Sequence, residues 1–219
     1  NARLYVDAED SASNIIIYET FKRVFGPGGY PAFPLPGIVL QAYSTTSEAT
    51  LLSLLQFGEA RGSRIAIRLV KGAYWDHETI GARQGFLPSP LYAQKESTDA
   101  QYEHLSRILL QRRQLALPAF GSHNIRSLAQ VCCYARREQI TPDEFEIQVL
   151  YGMADPIAHA FKKLGYLVRM YVPIGEMLPG MGYLVRRLLE NTSNESFLRH
   201  TFFDSSKIDT LLAPPEFRG

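Results

Sequence analysis

Cysteine is nearly absent from this sequence: the two cysteines among its 219 residues are Cys132 and Cys133, which are neighbours. Neighbouring Cα atoms lie about 3.8 Å apart across a trans peptide, which is closer than ordinary disulfide geometry requires. We therefore expect two free thiols rather than a redox-active pair. Free thiols are typical of a reducing compartment, so the sequence predicts a cytoplasmic protein.

Charge of one sign and long apolar runs are also lacking. Lysine and arginine number 23 and aspartate and glutamate 22, for a net charge of +1, whereas a nucleic-acid-binding surface needs a clustered basic excess. Apolar runs such as residues 51–55 end well before the roughly 20 residues that span a bilayer. The amino-terminal residues have neither the basic nor the apolar part of a signal peptide. We expect no nucleic-acid partner, no membrane-spanning helix and no secretory signal.

Several motifs that carry chemistry are missing as well. The five histidines show no metal-ligand spacing, and the sequence has no Walker loop, no GxGxxG motif and no GxSxG motif. We therefore expect no metal centre, no P-loop or Rossmann nucleotide site, and no nucleophile elbow.

What the sequence does have is a regular alternation of short apolar runs and helical patterns. Strands are predicted at 4–6, 38–40, 65–70, 119–122, 145–150 and 167–172. Helices are predicted at 11–25, 47–61, 76–84, 98–113, 125–138, 155–164, 181–191 and 194–202. Thr98 and Gln101 are predicted to open one of these helices as a capping box. Residues 204–219, with Pro214 and Pro215, are interpreted as a linker that follows a domain at 1–203.

Six strand-then-helix units predict a parallel sheet with helical crossovers. The rhythm alone allows either an open doubly wound sheet or a closed (β/α) barrel. A closed barrel of this kind needs eight strands and about 250 residues, so six units would be a barrel with two units missing. The hydrophobic content of 46% suffices for one core of that size.

Polar residues follow the apolar runs at the predicted strand ends. In parallel α/β folds, functional side chains collect at the carboxyl ends of the strands. The candidates at these ends are Asp7, Gln41, Arg68, Lys71, His123, Asn124, Gln148 and Tyr171. Because so many such residues occur in succession, the sequence predicts a lined pocket.

Residues 68–76, RLVKGAYWD, form the densest polar cluster. If strand alternation turns Arg68 into a barrel mouth, the cation needs an anionic or electron-rich partner. Gly72 allows the backbone to approach a ligand closely, while Tyr74 and Trp75 offer flat surfaces. The alternative interpretation is a pair of surface cations beside two core aromatic residues.

The segment YLVRRLLEN, residues 183–191, forms a second cluster. At about 100° per residue, Arg186, Arg187 and Glu190 share one helical face. Two arginines there could grip a carboxylate through forked hydrogen bonds, and Glu190 could orient either of them. A solvated amphipathic helix with a surface ion pair is the alternative interpretation.

Taken together, these segments resemble one known family. The segments are VDAE at 6–9, LQAY at 40–43, RLVKGAYWD at 68–76, SHN at 122–124, LYGM at 150–153 and LVRRLLEN at 184–191. In this order, over about residues 2–200, they are similar to the proline dehydrogenase domain, most of all to its form in the bifunctional bacterial flavoenzymes called proline utilisation A. The resemblance implies an α/β fold, a (β/α)8 barrel of the TIM type, of which this chain supplies strands three to eight.

The resemblance also implies a cofactor, FAD, and a role for each candidate residue. The FAD-binding residues would be Gln41, Arg68, Lys71, Gly72, Trp75, His123, Asn124, Gln148 and Glu190. The proline-binding residues would be Arg186, Arg187, Tyr74, Leu150 and Tyr171. The catalytic residues would be Arg68, Tyr171 and Asp7, with Asp7 holding one arginine in place.

The activity implied by the resemblance is oxidation of L-proline to Δ1-pyrroline-5-carboxylate by hydride transfer to FAD, with electrons passed on to a quinone. A peripheral membrane contact and a downstream aldehyde dehydrogenase domain would accompany it in a bifunctional protein. The acid of strand one and the lysine of strand two that line the family's proline site are not in this chain. From the residues alone, a Schiff-base aldolase that uses Lys71 and a non-catalytic interaction or scaffold barrel remain open as alternatives.

Overall fold

A six-stranded parallel sheet, with its strands side by side in chain order, forms the centre of the molecule. The computed structural model describes residues 3–176, 180, 181, 185 and 212–217. The strands are β1 (Tyr5–Val6), β2 (Gly37–Gln41), β3 (Ile65–Val70), β4 (Ala116–Gly121), β5 (Glu146–Leu150) and β6 (Val168–Tyr171). The helices are α1 (Ser11–Phe25), α2 (Ser47–Arg61), α3 (Trp75–Gln84), α4 (Lys95–Gln111), α5 (Ile125–Arg137) and α6 (Asp155–Lys163).

The connections between strands are helical crossovers, as the alternating pattern predicts. Each strand pairs in parallel with the next strand along the chain, and α3 and α4 share the crossover between β3 and β4. This arrangement confirms the predicted α/β class. The predicted helices at 181–191 and 194–202 fall almost entirely outside the described residues. None of the helices in the described ranges is long and apolar enough to cross a membrane.

The core lies between the sheet and its covering helices. β2 is buried along its whole length, with Ile38 fully buried, which is typical of strands in a sheet that helices cover. Leu54 from α2 and Leu105 from α4 are also fully buried and belong to the same apolar core. Burial of one such side chain contributes about 1.5–3 kcal/mol. This apolar layer fixes the strands and leaves their carboxyl ends to carry polar side chains.

The predicted capping box at Thr98 and Gln101 is wrong. α4 begins earlier, at Lys95, and both residues are buried inside the helix. Gln101 Nε2 donates instead to Ser47 Oγ, at 3.1 Å. The local pattern misled because contacts with other elements outweigh a capping preference of about 1 kcal/mol. β4 also begins earlier than predicted, at Ala116.

The two cysteines are free, with Cys132 buried and Cys133 exposed. Burial raises the pKa of the Cys132 thiol to about 11, so this thiol stays protonated near neutral pH. Both observations agree with the expectation of two free thiols.

An ion cluster inside the curled sheet connects strands that are not neighbours. Glu146 on β5 is fully buried, and its Oε1 accepts hydrogen bonds from Arg3 Nη1 (3.0 Å) and Tyr5 Oη (3.3 Å) beside β1. Its Oε2 accepts from Nε and Nη2 of Arg169 on β6, at 3.0 and 2.8 Å. Burial and the Glu146 carboxylate raise the pKa of Tyr5 to about 12, so Tyr5 acts as a donor. Because three strands lie between β1 and β5 in the sheet, this cluster requires the curvature of a partial barrel.

Replacing Arg3 and Arg169 together by methionine should lower the free energy of unfolding by about 3 kcal/mol or more, because the buried Glu146 carboxylate then loses both cationic partners. Glu146→Gln alone should cost less, since the arginine side chains are 36% and 47% exposed and can turn to water. Urea unfolding followed by circular dichroism measures the difference. Adding Glu146→Leu to the double arginine variant should restore part of the stability; a further loss would contradict this explanation.

Candidate functional site

The carboxyl ends of the strands enclose a cavity of about 270 Å³. This volume is near the lower limit of small-molecule sites, which run from roughly 300 to 1,000 Å³. The cavity is lined by ten of the residues singled out from the sequence: Asp7, Gln41, Arg68, Lys71, Gly72, Tyr74, His123, Gln148, Leu150 and Tyr171. The parallel strands thus bring together polar side chains that lie as far apart in the sequence as Asp7 and Tyr171.

The other predicted site residues do not line this cavity or cannot be placed. Trp75 begins α3, and its Nε1 donates to the carbonyl of Tyr92 at 2.9 Å. Asn124 caps α5, where its Oδ1 accepts from the Ser127 amide at 3.1 Å. Arg186, Arg187 and Glu190 lie outside the described residues. The substrate and cofactor roles inferred from the resemblance stay predictions.

Arg68 supplies a cation at the cavity wall. Alternation along β3 buries Leu69 on the helix side and turns Arg68 inward. Its Nη2 lies 3.1 Å from Asp7 Oδ1, and its Cζ lies 5.3 and 5.8 Å from the ring centroids of Tyr5 and Tyr171. The Asp7 side chain is 60% exposed, so the ion pair adds little stability. It mainly fixes the direction of the guanidinium.

Lys71 supplies a second cation, just beyond the end of β3. Its Nζ lies 2.5 Å from Oδ1 of Asp99 on α4 and 5.8 Å from the ring centroid of Tyr102. Burial lowers the pKa of Lys71, while the Asp99 carboxylate opposes this shift. Sequence reasoning missed Asp99, because nothing in the helix pattern marks which acidic side chain faces the strand end. Asp99 therefore holds the ammonium group in place beside the cavity.

The loop after β3 depends on close packing around Gly72. Gly72 has φ +129°, and a Cβ there would lie 2.4 Å from the ring of Tyr43. The Tyr43 hydroxyl donates to Oε1 of Glu78 on α3, and Glu78 Oε2 accepts from the Ser11 amide at 3.0 Å. These bonds join three elements beneath the loop. Neither Tyr43 nor Glu78 received a role from the sequence: Tyr43 stands in the LQAY segment without one, and Glu78 lies outside the strand-end pattern.

Three further side chains at the cavity are held by hydrogen bonds. Gln41 Oε1 accepts from Nδ2 of Asn14 at 2.7 Å. Gln148 Nε2 donates to Glu146 Oε1 at 3.3 Å, which ties this residue to the ion cluster below. His123 Nε2 accepts from the Leu150 amide at 3.0 Å. Because an accepting nitrogen carries no proton, His123 is neutral in this arrangement.

The lining combines two cations with amide donors. Each cation already has one carboxylate partner, Asp7 for Arg68 and Asp99 for Lys71. Across the described ranges, no group of three or more His, Cys, Asp or Glu is arranged to hold a metal ion. A cavity of this kind suits an electron-rich ring or an organic anion. Donors that are fixed before a ligand binds stabilise negative charge that develops during a reaction.

Sequence comparison identifies relatives over nearly the whole chain. The family described as proline dehydrogenase matches residues 1–200. Bifunctional protein PutA of Escherichia coli (strain K12) is 33% identical over 217 residues, covering 96% of this chain and 16% of that protein. Proline dehydrogenase 2 of Bacillus subtilis (strain 168) is 31% identical over 159 residues, covering 73% of this chain and 46% of that protein. The chain thus spans a minor part of the length of these relatives.

Structural comparison gives the same family. The crystal structure of proline utilization A from Bdellovibrio bacteriovorus inactivated by N-propargylglycine has a TM-score of 0.92 and 44% identity, covering 96% of this chain and 22% of that one. A structure of Bradyrhizobium japonicum proline utilization A has a TM-score of 0.89 and 29% identity. This match covers 96% of this chain and 22% of the Bradyrhizobium japonicum chain. The six-stranded partial barrel matches the corresponding part of both proteins.

Gly72→Ala should lower the free energy of unfolding by about 1–3 kcal/mol, because alanine rarely adopts this φ and its Cβ would collide with the Tyr43 ring. Gly81→Ala on α3 is the matched control, since its Cβ would meet no atom within 4 Å. Alanine also favours a helix over glycine by about 1 kcal/mol. Chemical unfolding of both variants makes the comparison. Equal stability of the two would show that the loop is not closely packed.

Proposed function

Because the chain belongs to the proline dehydrogenase family, we propose that the protein containing it uses FAD to oxidise L-proline to Δ1-pyrroline-5-carboxylate. The observation that carries the proposal is the inward guanidinium of Arg68, held by Asp7 and flanked by the Tyr171 ring in a cavity at the strand ends. A fixed cation in this place would stabilise the negative charge that accumulates on a reduced flavin ring.

The residues of the cavity fit a flavin. Gly72 lines the cavity with backbone alone, and the place that a Cβ would take is filled by the Tyr43 ring. Gln41 offers an amide donor at the wall, and Lys71 offers an ammonium group near it. The small volume accommodates a ring system but not a whole dinucleotide. The phosphate and adenosine parts would therefore extend beyond the cavity, toward Trp75 and Asn124.

When bound, FAD supplies the chemistry by accepting a hydride from the substrate. The task of the protein is then to hold the substrate in the reactive orientation. We assign the proline carboxylate to Arg186 and Arg187 and the pyrrolidine ring to Tyr74, Leu150 and Tyr171. Holding both ends of a small substrate can supply up to about 7–11 kcal/mol of the reduction in the barrier.

For the whole protein we propose the bifunctional arrangement of the PutA relatives. Those relatives are named bifunctional. The matches cover 96–97% of this chain but only 16% of the Escherichia coli and Salmonella typhimurium proteins. An aldehyde dehydrogenase domain elsewhere in the same protein would consume the product. A quinone would take up the electrons. The protein would lie in the cytoplasm and make peripheral contact with the inner membrane face.

The full-length protein should be yellow when purified, and anaerobic L-proline should bleach the flavin, because the substrate reduces it. Arg68→Met should slow this bleaching about 100-fold, the cost of removing one fixed donor from a developing charge. Arg137→Met is the matched control: this arginine lies on α5 with its side chain 72% exposed, and its loss should leave the rate unchanged. Stopped-flow absorbance measures all three rates.

A colourless full-length protein, or a yellow one that proline fails to bleach, would contradict the proposed function. Borohydride treatment with a carbonyl substrate distinguishes the aldolase alternative, since only a Schiff base at Lys71 would be trapped covalently. Equal rates for Arg68→Met and Arg137→Met would contradict the role assigned to Arg68 while leaving the reaction itself in place.

A further inference from the structure

Behind the cavity, Asn14 and Gln41 form a buried pair of carboxamides. Asn14 lies on α1 and is 7% exposed, and Gln41 ends β2 and is 4% exposed. Asn14 Nδ2 donates to Gln41 Oε1 at 2.7 Å. Gln41 lines the cavity, whereas Asn14 does not. Asn14 thus contacts the cavity only through Gln41.

A third group fixes the orientation of both carboxamides. The backbone amide of Glu9 donates to Asn14 Oδ1 at 3.2 Å. A backbone N–H can only donate, so the oxygen of Asn14 must face Glu9 and its nitrogen must face Gln41. Gln41 must in turn present its oxygen to Asn14. The loop after β1 therefore determines, through two side chains, which atom of Gln41 remains for a ligand.

The atom that remains is the Gln41 nitrogen. Within residues 3–176, Gln41 Nε2 makes no hydrogen bond, and it is not one of the buried side-chain atoms that lack a partner, so it remains accessible in the cavity that Gln41 lines. An acceptor on a ligand in the cavity can therefore bind this donor. The arrangement therefore favours a ligand that offers an oxygen or an unprotonated nitrogen to Gln41.

We propose that Asn14 is a positioning residue for the bound flavin: it holds the Gln41 carboxamide so that its N–H donor faces an acceptor on the edge of the ring. This inference rests on the proposed function. A donor at the ring edge binds the more electron-rich reduced ring better than the oxidised ring. Asn14 thus raises the midpoint potential of the flavin without touching it.

Asn14→Asp tests the proposal by reversing the hydrogen-bond relay that runs from the Glu9 amide through Asn14 to Gln41. Aspartate offers only acceptors, so one oxygen keeps the Glu9 amide and the other attracts Gln41 Nε2, which turns Gln41 Oε1 toward the ring. The preference of the protein for reduced over oxidised FAD should fall about tenfold, which lowers a two-electron midpoint potential by about 30 mV. Asn14→Leu, which removes the relay without adding charge, should give a smaller decrease.

Two controls separate the relay from other effects. Ile16→Asp places the same charge on α1 at a residue that is 70% exposed, and should leave the potential unchanged. In a Gln41→Ala background, Asn14→Leu should no longer alter the potential, because the side chain that Asn14 orients is gone. Spectroelectrochemical titration of the full-length protein gives the potentials, and flavin fluorescence gives the FAD dissociation constants.

The outcomes are distinguishable from those of the proposed function. A yellow, proline-reducible protein whose potential is the same in wild type, Asn14→Asp and Asn14→Leu would overturn this inference alone. A protein that binds no flavin would overturn both. If Asn14→Asp fails to fold, Asn14→Leu with and without Gln41→Ala still decides the matter. A decrease that persists fully in the Gln41→Ala background would also overturn the inference.

Discussion

The buried carboxylate of Glu146 is the constraint on which the site depends. It accepts hydrogen bonds from Arg3 and Tyr5 beside the first strand and from Arg169 on the last. These bonds require the sheet to curl, and only a curled sheet directs the carboxyl ends of all its strands at one volume. Glu146 also accepts from Gln148, so the same carboxylate fixes a residue of the cavity wall. One side chain, Glu146, therefore stabilises both the curvature of the sheet and the position of a residue that lines the cavity.

Above that cluster, three polar groups at the cavity are each held by a partner side chain. Asp7 directs Arg68, Asp99 holds Lys71, and Asn14 orients Gln41. Such partners let a cavity carry cations and donors whose positions are set before a ligand arrives, which is the condition for stabilising charge in a reaction.

The sequence allowed much of the cavity wall to be predicted, for a physical reason. Parallel strands end at one edge, so polar residues after successive apolar runs must lie near one another. Arg68, His123 and Tyr171 were found in this way and line one cavity. The rule makes no use of contacts between distant elements, and it needs only the positions of the strands.

The partners behind the wall were not predictable by the same reasoning. Asp99 and Asn14 lie on helices, and the face that a helix turns to a strand end depends on packing between elements. Glu146 stands inside an apolar run, where the pattern marked a strand but not a buried ion cluster. The capping box at Thr98 failed for a related reason, since burial within α4 outweighed a local preference.

The central claim is that the polar groups at the strand ends form one binding site for a flavin ring and a small amino acid. Its most direct test is a crystal structure of the full-length protein with FAD and a carboxylate-bearing proline analogue. We expect the flavin ring in the cavity, in contact with Arg68 and Gln41, and the analogue beside Tyr171. A flavin bound elsewhere, with Arg68 and Gln41 touching neither molecule, would contradict the claim.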